Sequence, residues 1–351
     1  MLILGIETSC DETAVALVRD GREIVASLVS SQIELHAPYG GVVPEVACRA
    51  HAEWLLPLLE KLCAESGVAL KDVDVIAATA RPGLIGALLV GLTTGKTLAL
   101  ALDKPFVGVD HIDGHVHAPR MAHPDMEFPH LSLVVSGGHT EIYRSDSFTH
   151  KELIASTADD AAGECFDKVA ALLGLGYPGG PRIEKAARGG NPAVIDFPRG
   201  SAGADGMAIS FSGLKTAVLR FMQARNYTVK AGRPRLEREA MKEEITKTIP
   251  LPLPLADLAA SFQEAAVDML IRPTLKACER TGISCVGLTG GVAANQRLRE
   301  KLTSEAKKRG IDIYAAPKDL CTDNAAFIAG AAHHFAREGR FDPLDLDAVP
   351  N

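Results

Sequence analysis

The residues best suited to chemistry lie in Val109–Ala118, which reads VDHIDGHVHA. His111 and His115 stand four positions apart, with a third imidazole at His117. On a helix, His111 and His115 share one face a turn apart, close enough to bind one cation. The apolar run Phe106–Val109 (FVGV) reads as a strand, so the pair would open a helix at the carboxyl edge of a sheet, where open α/β folds form their ligand clefts. The alternative is a surface helix carrying histidines by chance, because this spacing alone names no third ligand.

Other candidates are spread along the chain. Glu7–Thr13 (ETSCDET) is dense in hydroxyls and carboxylates, either a hairpin tip offering N–H groups to a phosphate and carboxylates to a cation, or a solvated turn. Ala162–Leu173 has helical periodicity and carries Asp167 and Lys168 among apolar neighbours. In Tyr177–Gly190, Gly179 and Gly180 allow close backbone contact with a ligand, and Glu184 follows about one turn on. Gly290–Arg299 (GGVAANQRLR) places a glycine pair at a helix start after a strand, a phosphate-binding geometry from which Asn295 could reach a ribose or base. Asp323 is either the N-cap of a last Ala/Gly-rich helix or a third metal ligand.

The elements that must position these residues repeat. Leu2–Glu7, Ala14–Val18 and Glu23–Ser30 read as a three-stranded meander, and LSLVVSGG, HTEIYRS and KELIAST from Leu131 read as a second. Ser136–His139 (SGGH) then takes the place of ETSCDET. The expectation is an α/β, two-lobed, actin-like, sugar-kinase and heat-shock-chaperone superfold, its two turns facing across a nucleotide cleft. Residues 1–125 form the first lobe, with a C-terminal helix (about 322–351) packing back on it. Residues 126–321 form the second, with a charged, Pro-ended insertion at about 226–254 that is either solvated or an RNA-facing arm. Ala47–Leu62 reads as a helix with Pro57 a kink, and Arg49 and His51 either face a ligand or, in the favoured reading, face solvent.

Composition bounds the function. A chain of 351 residues with net charge −7 does not coat nucleic acid broadly, although a local basic patch stays open. Arg297, Arg299, Lys301, Lys307, Lys308 and Arg309 lie on one helix as a candidate patch or a solvated face. Seven scattered cysteines without a CxxC pair read as reduced thiols of a cytoplasmic protein. The chain opens on a strand pattern, so no signal segment is expected. The apolar window Leu84–Leu102 contains Lys96 and three glycines and reads as a buried helix, with no membrane association.

Taken in order, GIETSCDET, YGGVVPE, PGLIGALLVG, DHIDGHVHA, VVSGGHTE, GECFDKVAALLGLGYPGGP, FSGLKT, TGGVAANQRLR and LCTDNAAFIAG span nearly the whole chain. Together they resemble the bacterial branch of the tRNA adenosine threonylcarbamoyltransferase family, formerly described as O-sialoglycoprotein endopeptidases. The resemblance implies that His111, His115 and Asp323 bind one divalent ion, iron(II) or alternatively zinc(II). It leaves His117 without a ligand role, at an exposed position. It places substrate contacts on Val135, Ser136, Gly137, Gly138, His139, Asp167, Gly180, Glu184 and Asn295. The implied reaction moves threonylcarbamoyl from its adenylate to the exocyclic amine of the adenosine 3′ of the anticodon, in tRNAs reading codons that begin with A. Implied partners are tRNA, an inactive paralogue forming a heterodimer, and a small P-loop ATPase. No general base is assigned; Asp11, Glu12 and His139 are candidates by motif alone. A His/His/Asp set argues against a Mg²⁺-dependent kinase or chaperone ATPase, and the lack of HExxH argues against a metalloprotease. Arg81 stands where the family usually carries Gly, leaving that wall of the cleft open.

Overall fold

The computed structural model describes residues 1–202, 207–225 and 254–350, so the expected insertion lies outside the described residues up to 253. The first part of the chain is β1 (Leu2–Glu7), β2 (Glu12–Arg19), β3 (Glu23–Ser31), α1 (Ile33–His36), α2 (Pro44–Ser66), β4 (Val75–Arg81), α3 (Ile85–Leu102), β5 (Phe106–Asp110) and α4 (His111–Ala122). It continues through β6 (His130–Val135), β7 (Thr140–Ser147), β8 (His150–Ser156), α5 (Ala162–Leu172), α6 (Gly179–Ala186), β9 (Ser201–Ala202), β10 (Ala208–Ile209) and α7 (Ser212–Ala224). The last part is α8 (Leu255–Thr281), β11 (Cys285–Thr289), α9 (Gln296–Lys307), β12 (Asp312–Ala315), α10 (Lys318–Cys321) and α11 (Ala325–Arg337).

Two five-stranded sheets repeat one plan. The first runs β3-β2-β1-β4-β5 and the second β8-β7-β6-β11-β12. In the first, β1 pairs antiparallel with β2 and parallel with β4. In the second, β6 pairs antiparallel with β7 and parallel with β11. Both meanders read from the sequence are present, and the short strand pair β9–β10 is additional.

The middle strands β1 (LILGIE) and β6 (HLSLVV) are buried along their whole length. Such continuous apolar runs arise when helices cover both faces of a sheet with parallel neighbours. The period-2 alternation of a strand then divides the first sheet between two cores. Ile3, Ala14, Ala16 and Ala77 join α11 in one core, while Leu4, Ile6, Val15 and Ala78 join Leu55, Leu59 and Leu92 of α2 and α3 in the other. Helix α3 is buried on that face only. Ile85, Leu89 and Leu100 face outward, so the helix read as buried is covered along its inner stripe only. It is the one described helix long and apolar enough to cross a membrane, and its inner stripe is built into the sheet packing.

Two close approaches bring the ends of the chain together. A Cβ at Gly5 of β1 would meet the Ala325 carbonyl oxygen at 2.4 Å, and one at Gly114 of α4 would meet Phe327 Cδ2 at 2.2 Å. Only glycine lets α11 lie this close to β1 and α4 at once. That contact sets Asp323, just ahead of α11, beside the histidines of α4.

Candidate metal centre and substrate cleft

Helix α4 begins at His111 because Asp110 caps it, its carboxylate accepting from Ile112 N at 2.9 Å. His111 and His115 therefore sit one turn apart on one face, with ring centroids 4.6 Å apart and planes at 84°. Both Nε2 atoms face Asp323 Oδ1, at 3.5 Å from His111 and 3.3 Å from His115. Asp323 is not the N-cap of α11, because Asn324 fills that place by accepting from Phe327 N at 3.0 Å. Ligands about 2.1 Å from a tetrahedral ion lie roughly 3.4 Å from one another, which matches the two histidine–aspartate separations, and all three ligand atoms lie within 4.8 Å of one another. Neither ring nitrogen of His115 has a hydrogen-bond partner although the residue is fully buried. Buried polar atoms are rarely left so, and an ion bound at Nε2 would satisfy one of them.

Behind His111 lies Glu7, which the motif contains but which the sequence reading does not single out. Its Oε2 accepts from His111 Nδ1 at 2.9 Å and from Thr79 Oγ1 at 2.7 Å, and its Oε1 accepts from Ser9 N. A carboxylate on Nδ1 fixes the tautomer that turns the Nε2 lone pair toward the ion position. The available signal was one acid closing an otherwise apolar strand.

The buried acids and imidazoles of the site shift one another's protonation. Burial opposes charge on His111, but Asp323 and Glu7 on either side outweigh it and raise its pKa well above 6.5. Burial likewise raises Asp323, and His111 and His115 more than reverse this, holding it far below the usual carboxylate range. Burial, followed by the neighbouring His111 and His115, lowers His139 to about 4, leaving a neutral imidazole at physiological pH.

The centre opens into a cavity of about 650 Å³. The first-sheet turn contributes Ser9, Cys10, Asp11 and Glu12, and the second-sheet turn contributes Ser136, Gly137, Gly138 and His139. Asp167, Gly180, Glu184 and Asn295 form further walls, with His111 and Asp323 at the base. Burial, then Asp11 and Asp323, raises Glu12 well above 4.5 and favours its protonated acid. Burial pushes Asp167 up to about 6 even though its Oδ1 accepts from Gly179 N at 2.6 Å.

Several expectations are corrected. Val135 is fully buried at the end of β6 and does not line the cavity. His117 is buried, not exposed: it donates to the Gly21 carbonyl at 3.1 Å, and burial lowers its pKa to about 4. His51 is also fully buried, bonded to Thr13 Oγ1 at 2.8 Å and Cys10 O at 3.0 Å, so it braces the first turn. Arg49 does face solvent, paired with Glu45. The glycine pair Gly290–Gly291 leads into a one-turn helix, and α9 starts later, capped by Asn295, whose amide donates to Gln263 Oε1 at 2.9 Å. Arg81 is exposed and turned to Asp110; Pro82, Gly83, Leu84 and Ile85 form that wall instead. Most of the basic set on α9 is neutralised within the protein. Arg297 forks onto Glu264 at 2.6 and 2.8 Å, Lys301 pairs with Glu264 and Asp268, and Lys308 and Arg309 pair with Glu305. Phe166, Tyr177 and Pro350 also line the cavity and carried no signal beyond being apolar.

Comparison with known proteins agrees over the whole chain. The family model for tRNA N6-adenosine threonylcarbamoyltransferase matches residues 23–330. A Kosmotoga olearia protein of that name is 47% identical over 350 residues, covering 100% of this chain and 98% of that protein. One from Symbiobacterium thermophilum is 48% identical over 351 residues, covering 99% and 96%. Among solved structures, T. kodakarensis HypF has a TM-score of 0.59 at 15% identity, covering 98% of this chain and 49% of that one. Component A of the Acidaminococcus fermentans (R)-2-hydroxyglutaryl-CoA dehydratase has a TM-score of 0.54 at 15% identity, covering 96% and 99%. These distant likenesses carry the fold alone, the actin-like superfold. The match in sequence goes further, and the chain belongs to the tRNA N6-adenosine threonylcarbamoyltransferase family and is a transferase.

Proposed function

We propose that the cavity binds threonylcarbamoyl-adenylate and that the exocyclic amine of the tRNA adenosine 3′ of the anticodon attacks its carbonyl carbon. The tRNAs are those reading codons that begin with A. The new C–N bond forms as the bond from that carbon to the phosphate oxygen breaks, AMP leaves, and the amine loses one proton. The observation that carries this reading is the cluster of His111, His115 and Asp323, two of whose members, His111 and Asp323, line the same cavity as both hairpin turns.

His111, His115 and Asp323 would hold one divalent ion, iron(II) in preference to zinc(II), and when bound it supplies Lewis-acid stabilisation of substrate oxygen. The residues of the chain provide the rest. The open backbone at Gly137, Gly138 and Gly180 admits the adenylate closely, and Asp167 and Glu184 accept from ribose hydroxyls. A mixed anhydride already has a good leaving group, so positioning and charge stabilisation are the main demands. Asp11 and His139, both at the cavity, remain the candidates to take the amine proton, because Glu12 favours its protonated form.

The two sheets fit two lobes divided near residue 125, with α11 returning to the first. An inactive paralogue as heterodimer partner and a small P-loop ATPase complete the working assembly. The free cysteines suit a cytoplasmic setting. The test is to incubate the protein and its His111→Ala variant with the adenylate and unmodified tRNA, then digest the tRNA and look for threonylcarbamoyl-adenosine by mass spectrometry. Product from the wild type alone is expected. No product from either, with the partner proteins added, refutes the reading.

A further inference from the structure

Several of the cations around the second sheet are neutralised within the chain. Beyond the α9 set, Lys168 and Lys215 pair with Asp160, Lys151 pairs with Asp110 and Asp113, and Arg199 pairs with Asp196 and Asp268. The segment around α6, at the edge of the cleft, carries three that are not. Arg182, Lys185 and Arg188 are exposed, and none has a carboxylate partner among the described residues. They lie on the side of α6 away from Ile183 and Ala187, which are buried.

The same helix forms part of the cavity wall through Gly180 and Glu184. Arg182 and Lys185 lie on the helix and Arg188 in the turn just past its end, so the three cations lead outward from the rim. Arg182 is also held in place. Its Nε donates to the Tyr177 carbonyl at 3.0 Å, and Tyr177 lines the cavity. Both Nη groups are left without a partner among the described residues, a planar fork aimed away from the anchor. A guanidinium so presented suits a phosphate, bound through two N–H groups.

We propose that Arg182, Lys185 and Arg188 form the phosphate-backbone contact by which the RNA substrate is seated over the cavity mouth. This rests on the transferase reading above. The occupant is an RNA strand and not the adenylate, because the cations line the outer side of the helix whose inner end forms the wall. Phosphate contacts set register without reading sequence, which suits an enzyme that must place one base of many different tRNAs.

The test measures tRNA binding by fluorescence anisotropy across a salt series, for the full chain and for R182Q/K185Q/R188Q. A K307Q/K308Q/R309Q control alters the α9 end. Each lost phosphate contact removes about 0.7–0.9 from the slope of log affinity against log salt. The α6 variant should therefore lose about 2 to 3 from that slope, with binding at low salt weakened by roughly tenfold or more, while the α9 control keeps its slope. Adenylate affinity should be unchanged in both. An α6 variant with the wild-type slope overturns the inference and leaves the transferase reading intact. So does one that loses adenylate affinity instead of tRNA affinity. A wild type showing no salt-dependent tRNA binding overturns the transferase reading itself.

Discussion

Glu7→Gln is the sharpest probe of how the metal centre is built. Glu7 is fully buried and acts only as an acceptor, from Ser9 N on one oxygen and from His111 Nδ1 and Thr79 Oγ1 on the other. Glutamine keeps the shape but has one oxygen and one NH2. If its oxygen stays on Ser9 N, the NH2 faces His111, whose Nδ1 must then become the acceptor. The ring proton moves to Nε2, and that nitrogen can no longer ligate. If the oxygen turns to His111, the NH2 is pressed against the Ser9 N–H. Either way one tautomer is no longer enforced. Losing such a supporting acceptor typically costs 10–100-fold in metal affinity, or about 1.4–2.7 kcal/mol. The assay is chelator competition against Co(II) or Zn(II), read by the cobalt absorption band and by isothermal titration, with far-UV circular dichroism to check the fold. Repeating the change in a His111→Ala background should give almost no further loss, since Glu7 acts through that ring. Wild-type affinity in Glu7→Gln, with its fold intact, would refute the reasoning.

Three further outcomes follow from the geometry. Asp167→Asn should stabilise the protein at pH 7.5 by about 2 kcal/mol and leave it unchanged near pH 3.5. The folded carboxyl titrates near 6 and the unfolded one near 3.9, so ionisation costs stability as pH rises through that window; denaturant melts at both pH values read this. Gly114→Ala should destabilise by about 1–3 kcal/mol through its clash with Phe327, and should weaken metal binding because α11 carries Asp323 away from α4. An unchanged melting curve would contradict the close crossing. Arg81→Gly should change adenylate affinity by less than about threefold, since Arg81 does not line the cavity; a larger change in titration calorimetry would bring its side chain back into the cleft.

The fold was legible because its sheets write their periodicity plainly. LILGIE and LSLVV are too apolar to be anything but central strands, and the repeated hairpin turns follow from them. The His111/His115 pair was legible as a spacing, and Asp323 only as one of two alternatives until the crossing of α4 and α11 placed it. What failed to show was contact between distant segments. Nothing local marks His117 or His51 as buried, since each is covered by residues from another part of the chain. The neutralisation of Arg297 and Lys301 depends on Glu264 and Asp268 of α8, and a run of basic residues looks the same with or without such partners. Glu7 escaped notice because its role is to serve a histidine on another strand's helix.

His111 and Asp323 are more than two hundred residues apart in the chain. An ion held between them closes a loop of that length, much as a disulfide would, and loop closure of this size carries an entropic weight of several kcal/mol in the unfolded chain. The centre therefore cannot exist while the chain is being made. An ion there would need α11 packed against both β1 and α4, so it would tie the end of the chain to its beginning, and a chelator should loosen that helix before it disturbs either sheet.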